Sequence, residues 1–305
     1  MSEWIICLGG SINQVPYIEE IRKMNYKILL LDKNKDAPGI KISNEYKCIG
    51  YDEISKLEDL IRKRFIYLNK VKHIFTAASQ FSHIGVSTLS ELLDFKFISK
   101  KNILGCLDKK IFYKEFEKLL APIPKTELIC NYDDLKNFFL KSKDNYNWYL
   151  KSDRGKSPNY IYRLNKENLH EKKIFWGKDR YLSEGYLLQK EFLGQHIRVN
   201  IFKNSFCMFD HSKNKMIDDL EIINRIREFQ IFQKLVQIQS HFNFEKFICK
   251  FDIIVNKLGW VVIDIGIDPP SRIKSLYLKN KINFFKLFVQ ITFGEEVYLP
   301  FFQEI

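Results

Sequence analysis

Apolar positions divide the chain into strand-length runs that alternate with segments of helical period. Trp4–Leu8 and Lys27–Leu31 read as strands around a helix over residues 16–24. Residues 45–49 and 73–76 read as two further strands, with amphipathic helices over 54–67 and 79–95. Strands and helices in this alternation predict a parallel, doubly wound sheet. From residue 102 the pattern turns helical, until Pro122 and Pro124 stop it. Strands are then predicted over residues 125–130, 148–151, 160–164, 186–193 and 206–209, with a helix over 133–141. Residues 217–242 and 273–293 each keep one helical period and predict two long helices, whose aromatic stripes belong to a core.

Between those helices lie two β-rich runs, residues 251–255 and 260–267, around Asn256-Lys257-Leu258-Gly259. This predicts a hairpin with a Lys257-Leu258-Gly259 loop. If Asn256 pairs with Trp260, Asp252 falls directly opposite Asp264. Alternation then puts Val262, Asp264, Gly266 and Asp268 on one face and Val261, Ile263, Ile265 and Ile267 on a buried face. Like charges facing each other destabilise a sheet. Protonation of one of them or a cation between them relieves that cost, and hard oxygen ligands suit Mg²⁺; solvated acids on an outer face are the plainer alternative.

Other stretches carry weaker chemical signals. Gly9-Gly10-Ser11 turns the first strand into its helix, and Asp32 ends the second strand. That arrangement suits a dinucleotide, but the turn is not GxGxxG, so glycines serving only the turn are the simpler explanation. Lys151-Ser152-Asp153-Arg154-Gly155-Lys156-Ser157 is a polar turn that either cradles phosphate or is simply solvated. His196, Arg198 and Asn200 alternate with Ile197, Val199 and Ile201, which is a cleft wall or a half-exposed strand.

The chain has 305 residues, enough for two or three packed domains, and a formal net charge of +12. Its lysines are dispersed and no nucleic-acid module is legible, so the charge reads first as a compositional bias and second as a match to phosphate-bearing ligands, with DNA or RNA behind both. The six cysteines form no CxxC pair, as expected of a reducing, cytoplasmic setting. No basic leader and no membrane-length apolar run is expected.

The order of these pieces resembles the ATP-grasp superfamily, over nearly the whole chain. Residues 6–39 are similar to the pre-ATP-grasp domain of carbamoyl-phosphate-synthase-like and purine-biosynthesis members. Asp108-Lys109 before a helix and Pro122/Pro124 resembles the DK…gvPxP segment. Lys151-Ser152-Asp153 with Gly155 and Ser157 resembles the KPxDxxGSxGV lid strand and loop. Gln189, Lys190, Glu191, Phe192 and Leu193, up to Gly194, resemble the strand that reads adenine. Asp252 and Asp264 sit where the family keeps its magnesium acids. The family's EiNPR stands here as Asp264-Ile265-Gly266-Ile267-Asp268, with Gly in place of the metal-binding Asn. His196 replaces the usual ribose-binding Glu, and Arg198 resembles the Arg of RimK-like peptide ligases.

The resemblance implies an α/β fold. A Rossmann-like pre-ATP-grasp domain (residues 1–104) precedes a two-lobed ATP-grasp α+β domain, with a linker helix and lid over 105–188 and a base over 189–305. It also implies an ATP-dependent carboxylate–amine ligase that uses ATP and Mg²⁺ through an acyl-phosphate. Lys109, Lys151, Ser152, Asp153, Gly155, Ser157, residues 189–193 and His196 would hold nucleotide. Asp252, Asp264 and Asp268 would hold metal, and Arg198, with Arg272 as the lesser candidate, would steady the transferred phosphoryl group. Small-molecule carboxylates and amines are the expected partners, and a homo-oligomer is left open. Two other classes compete: a nucleotide-binding protein that has lost the chemistry, and a dinucleotide-dependent oxidoreductase built on Gly9, Gly10 and Asp32.

Overall fold

The computed structural model describes residues 3–63, 70–142, 145–152, 161–169, 185–213, 215–217 and 219–304. The first strands are β1 (Trp4–Leu8), β2 (Lys27–Leu31), β3 (Glu45–Lys47) and β4 (Val71–Thr76). They pair in parallel in the order β3-β2-β1-β4. Helices α1 (Val15–Lys23), α2 (Ile54–Arg62) and α3 (Ser82–Leu92) cross over between and after them. Side chains alternate across the sheet, as they must in a strand buried on both faces. Ile5, Cys7, Ile28 and Leu30 pack on the α1 side, while Ile6, Leu8, Leu29 and Leu31 pack against Leu57, Leu60, Val86 and Leu89 of α2 and α3.

The helical stretch after residue 100 is two helices, α4 (Lys100–Leu107) and α5 (Lys109–Lys118), rather than one. Asp108 breaks it. Its backbone is extended, and its carboxylate accepts the N–H groups of Lys110 at 3.0 Å and Ile111 at 3.4 Å, capping α5. Next come β5 (Thr126–Ile129), α6 (Tyr132–Lys141), β6 (Trp148–Ser152), β7 (Ile161–Leu164) and β8 (Tyr186–Lys190). They form a small antiparallel sheet, β5-β8-β6-β7, with Leu135 and Phe139 of α6 packed on Trp148, Leu150 and Leu188.

The remaining strands are β9 (Gln195–Phe202), β10 (Ser205–Asp210), β11 (Lys215–Met216), β12 (Cys249–Asn256), β13 (Gly259–Gly266) and β14 (Gln303–Glu304). They make an antiparallel sheet ordered β11-β10-β9-β12-β13, with β14 beside β10. Each long helix predicted in this part of the chain is a pair. Residues 217–242 hold α7 (Leu220–Glu228) and α8 (Ile231–His241), broken at Gln230, whose φ is +52°. Residues 273–293 hold α9 (Ser271–Lys279) and α10 (Phe284–Thr292), broken by Lys281 at φ +58°. The period continues across each break because both members pack on one core: Ile226 and Leu235 share one, Tyr277 and Phe288 another.

The Gly9-Gly10 turn is a packing device. Gly10 N–H donates to Asp32 Oδ2 at 2.7 Å, and Gly39 N–H donates to the Gly10 carbonyl at 2.8 Å. A Cβ on Gly39 would lie 2.9 Å from Gly10 Cα, so the loop carrying Gly39 sits directly on the turn. No helix among the described residues is long and apolar enough to cross a membrane.

Candidate active site

The β12–β13 hairpin carries the two facing acids, by a route other than the predicted one. At the tip Asn256 pairs with Gly259, not Trp260, leaving a Lys257-Leu258 turn. A bulge between Ile253 and Asp252 then shifts the register by one, and Asp252 does face Asp264. Ile263 is the extra residue, with no partner across the hairpin. The bulge also exchanges faces. Trp260, Val262, Ile265 and Ile267 are in the core, while Ile263, expected there, lines a cleft.

The cleft has two hollows along this face. The inner one, of 170 Å³, is lined by Lys109, Arg198, Lys250, Asp252, Asp264 and Asp268, together with Gln80, Phe81, Cys106, Leu107, Ile265 and Gly266. Each acid in it faces a cation. Arg198 Nε and Nη2 donate to the two oxygens of Asp252 at 2.8 and 2.7 Å. Burial acts to raise the Asp252 pKa, but His196 and Arg198 outweigh it and hold the carboxyl well below the usual carboxylate range. Hydrogen bonding to Asp252 raises Arg198 in turn. Lys250 Nζ lies 2.6 Å from Asp268 Oδ1. Lys109 Nζ is 4.0 Å from Asp264, whose side chain is 50 % exposed.

The outer hollow, of 400 Å³, is lined by Gln189, Lys190, Glu191, Phe192, Leu193, Gly194 and His196, with Lys151, Pro124, Tyr149, Ile161, Ile254 and Ile263. Lys151 Nζ donates to the Tyr113 hydroxyl at 2.9 Å and to the Ile263 carbonyl at 3.3 Å. The Tyr113 hydroxyl has one proton for two acceptors, Gln189 Oε1 at 3.0 Å and the Ile263 carbonyl at 3.1 Å. Burial, and after it the charge of Lys109, push Lys151 down to about 7. Glu191 is committed to structure. Arg163 grips both its oxygens at 2.9 Å, and this bond lowers its pKa. Lys190 Nζ sits 3.3 Å from the centre of the Tyr146 ring.

Several expectations are corrected or lie elsewhere. Asp268, expected beside the two facing acids, lines the same hollow and is paired with Lys250. Among the described residues, the group of three metal-capable side chains whose ligand atoms lie within 4.8 Å of one another is His196, His211 and Asp252. Those imidazoles are stacked, 3.9 Å apart at 5°, and Arg198 already spans the carboxylate. Burial, then His196, lowers the His211 pKa. Arg272 is not among the residues lining either hollow; it donates to the carbonyls of Asp210 and His211 at 3.5 and 3.1 Å. Asn200, expected on the cleft wall beside His196 and Arg198, is fully buried and donates to the Cys207 carbonyl at 3.2 Å. Ser152 ends β6 and is buried. Asp153, Gly155 and Ser157 lie outside the described residues.

Tyr113, Lys250 and Gln80 were missed in the sequence. Two had a signal. Lys250 is two residues before Asp252 on the same strand face, and Tyr113 is one helical turn after Lys109. Gln80, from the segment between β4 and α3, donates to the Ile265 carbonyl at 3.4 Å and has no local mark.

Solved structures of ATP-grasp carboxylate–amine ligases share this fold. An L-amino acid ligase from Bacillus licheniformis superposes with a TM-score of 0.68 at 14 % identity, covering 96 % of this chain and 74 % of that one. N5-carboxyaminoimidazole synthetase from Staphylococcus aureus, complexed with ADP, gives 0.66 at 13 %, covering 98 % and 79 %. A biotin carboxylase–β,γ-ATP complex from Campylobacter jejuni gives 0.67 at 12 %, covering 100 % and 74 %. No family model and no curated protein matches the sequence.

Proposed function

We propose that the chain is an ATP-dependent ligase that joins a small-molecule carboxylate to an amine. The observation that carries this is the pair of hollows end to end on one hairpin face: the outer partly apolar and edged by residues 189–194, the inner lined by acids and cations. The outer hollow suits a nucleobase, with the main chain of residues 189–193 reading adenine and His196 beside the ribose. Two neighbours were solved with ADP or with β,γ-ATP, which supports the same occupant here. The triphosphate would run past Lys151 towards Lys109, with Ser152, Asp153, Gly155 and Ser157 as further nucleotide contacts.

The carboxylates fit one magnesium ion. Asp264 is the acid left most open, at the longest distance from its cation, and Mg²⁺ characteristically binds through one or two carboxylates plus phosphate oxygens. Such an ion would supply charge neutralisation on the triphosphate. Lys109 and Lys151 would neutralise phosphate charge, and Arg198, anchored on Asp252, would steady the transferring phosphoryl group. A substrate carboxylate would attack the γ-phosphorus, forming an acyl-phosphate and releasing ADP. The amine would then attack the acyl carbon, losing a proton as phosphate leaves. Gln80 and Phe81 bring the N-terminal parallel-sheet region to the inner hollow. This supports a Rossmann-like pre-ATP-grasp domain over residues 1–104 that shapes the acceptor site, before a lid (105–188) and a base (189–305). Arg272 buttresses the segment carrying His211 and is left out of the catalytic set.

A second reading, a nucleotide-binding protein without ligase activity, is favoured by one observation: two of the three acids, Asp252 and Asp268, are already held by Arg198 and Lys250. An assay of ADP release over a panel of small carboxylates and amines separates the two. ADP formed in step with an amide product supports the ligase; nucleotide binding without turnover on any pair supports the second reading.

A further inference from the structure

We propose that the Lys250 ammonium, and not a second divalent cation, meets the anion at the inner end of the cleft, so the site takes its nucleotide with one metal ion. This rests on the nucleotide-binding reading above and specifies how the site is charged. Lys250 lies directly opposite Gly266, the cross-strand pair next after Asp252 and Asp264 on the same face. Its chain crosses over Gly266 to reach Asp268 Oδ1 at 2.6 Å. A Cβ at position 266 would lie 2.9 Å from Lys250 Cε, 3.1 Å from Gln80 Oε1 and 3.2 Å from Asp268 Oδ1. A ligating side chain at 266 would therefore push the end of the Lys250 chain off its present path. The glycine leaves that path open.

The charges point the same way. Arg198 spans Asp252 and Lys250 holds Asp268, leaving Asp264 as the carboxylate most open to a metal. A second dication at the inner end would meet a guanidinium and an ammonium in a cavity of 170 Å³, where repulsion between like charges is poorly screened. An ammonium has three donors. One is used on Asp268, and the lysine sits on the cavity wall where the others meet an anion.

The test is a Mn²⁺ titration followed by electron paramagnetic resonance, on the full chain saturated with a non-hydrolysable ATP analogue. The wild type is expected to bind one Mn²⁺ per nucleotide complex, and Lys250→Ala with Gly266→Asn to bind two. Two ions on the wild type would overturn the inference while leaving the nucleotide site intact. A folded double variant that stays at one ion refutes the exclusion of a second ion by Lys250 and Gly266. Should the double variant not fold, Lys250→Met is measured for analogue binding in EDTA. The account expects metal-free affinity to fall about tenfold or more, the loss of one charge-assisted contact, and unchanged affinity overturns it. A wild type that binds no nucleotide at all removes the underlying reading instead.

Discussion

Lys151 Nζ lies 3.3 Å from the carbonyl oxygen of Ile263, the one residue the hairpin bulge leaves without a cross-strand partner. One inserted residue does two things. It turns Asp264 onto the same face as Asp252, and it offers a main-chain acceptor that fixes Lys151 between the two hollows. Because that lysine is buried and Lys109 is near, its pKa is lowered to about 7, so it is only about half protonated at neutral pH. The site waits for an anion.

Nucleotide binding should therefore take up protons. With Lys151 pushed down to about 7, the amine is mostly neutral at pH 8, and a neighbouring triphosphate favours the ammonium. Calorimetry at pH 8 in buffers of different ionisation enthalpy is expected to show net proton uptake, lost in Lys151→Met. The linkage for folding has a definite sign. A lysine lowered in the folded state is protonated in the unfolded chain and neutral in the native one between pH 7 and about 10. Its contribution to stability therefore rises across that window as pH rises.

The two facing aspartates should separate under mutation. Asp252→Asn leaves Arg198 without its counter-ion and should cost about 3 kcal/mol, near the low end for breaking a buried pair. Asp264→Asn, at a half-exposed position, should shift stability by no more than about 0.5 kcal/mol while lowering turnover. Urea denaturation of both variants checks the contrast; equal losses would contradict it. For Asp252 the pKa is depressed, so the pair's stabilisation holds above the normal carboxylate range and is lost as pH falls below it.

Removing the Tyr113 hydroxyl should be felt in folding and in binding. Tyr113→Phe deprives Gln189 Oε1 of a buried donor and Lys151 of an acceptor, at a cost of about 1–2 kcal/mol. Thermal melts should show the loss without nucleotide, and weaker nucleotide binding should accompany it.

Gly39→Ala tests whether the Gly9-Gly10 turn is packing. Its Cβ would press on Gly10 backbone, so a loss of about 1–3 kcal/mol is expected, with no change in MgATP affinity. A stable variant with altered nucleotide binding would point to a ligand on that turn.

Much of this was legible in the sequence, and the misses have physical causes. The parallel sheet followed from apolar runs broken by Gly and Pro, and the cross-strand pairing of Asp252 and Asp264 from alternation. The bulge at Ile263 was not visible, because a one-residue insertion leaves no compositional mark in an apolar strand; the assumed tip pairing of Asn256 with Trp260 gave the right acids by a different register. The helix breaks at Gln230 and Lys281 were hidden because ordinary residues adopt the left-handed turn there. The pairing of Lys250 with Asp268 joins side chains 18 residues apart, and no local spacing marks it.

Calorimetric titration of the wild-type chain with MgATP tests the central claim most directly. The account predicts saturable binding of one nucleotide per chain, weakened at least about tenfold by Lys151→Met and by Asp264→Asn, and no heat with NADH. A flat MgATP titration, or binding that both variants leave untouched, would contradict it.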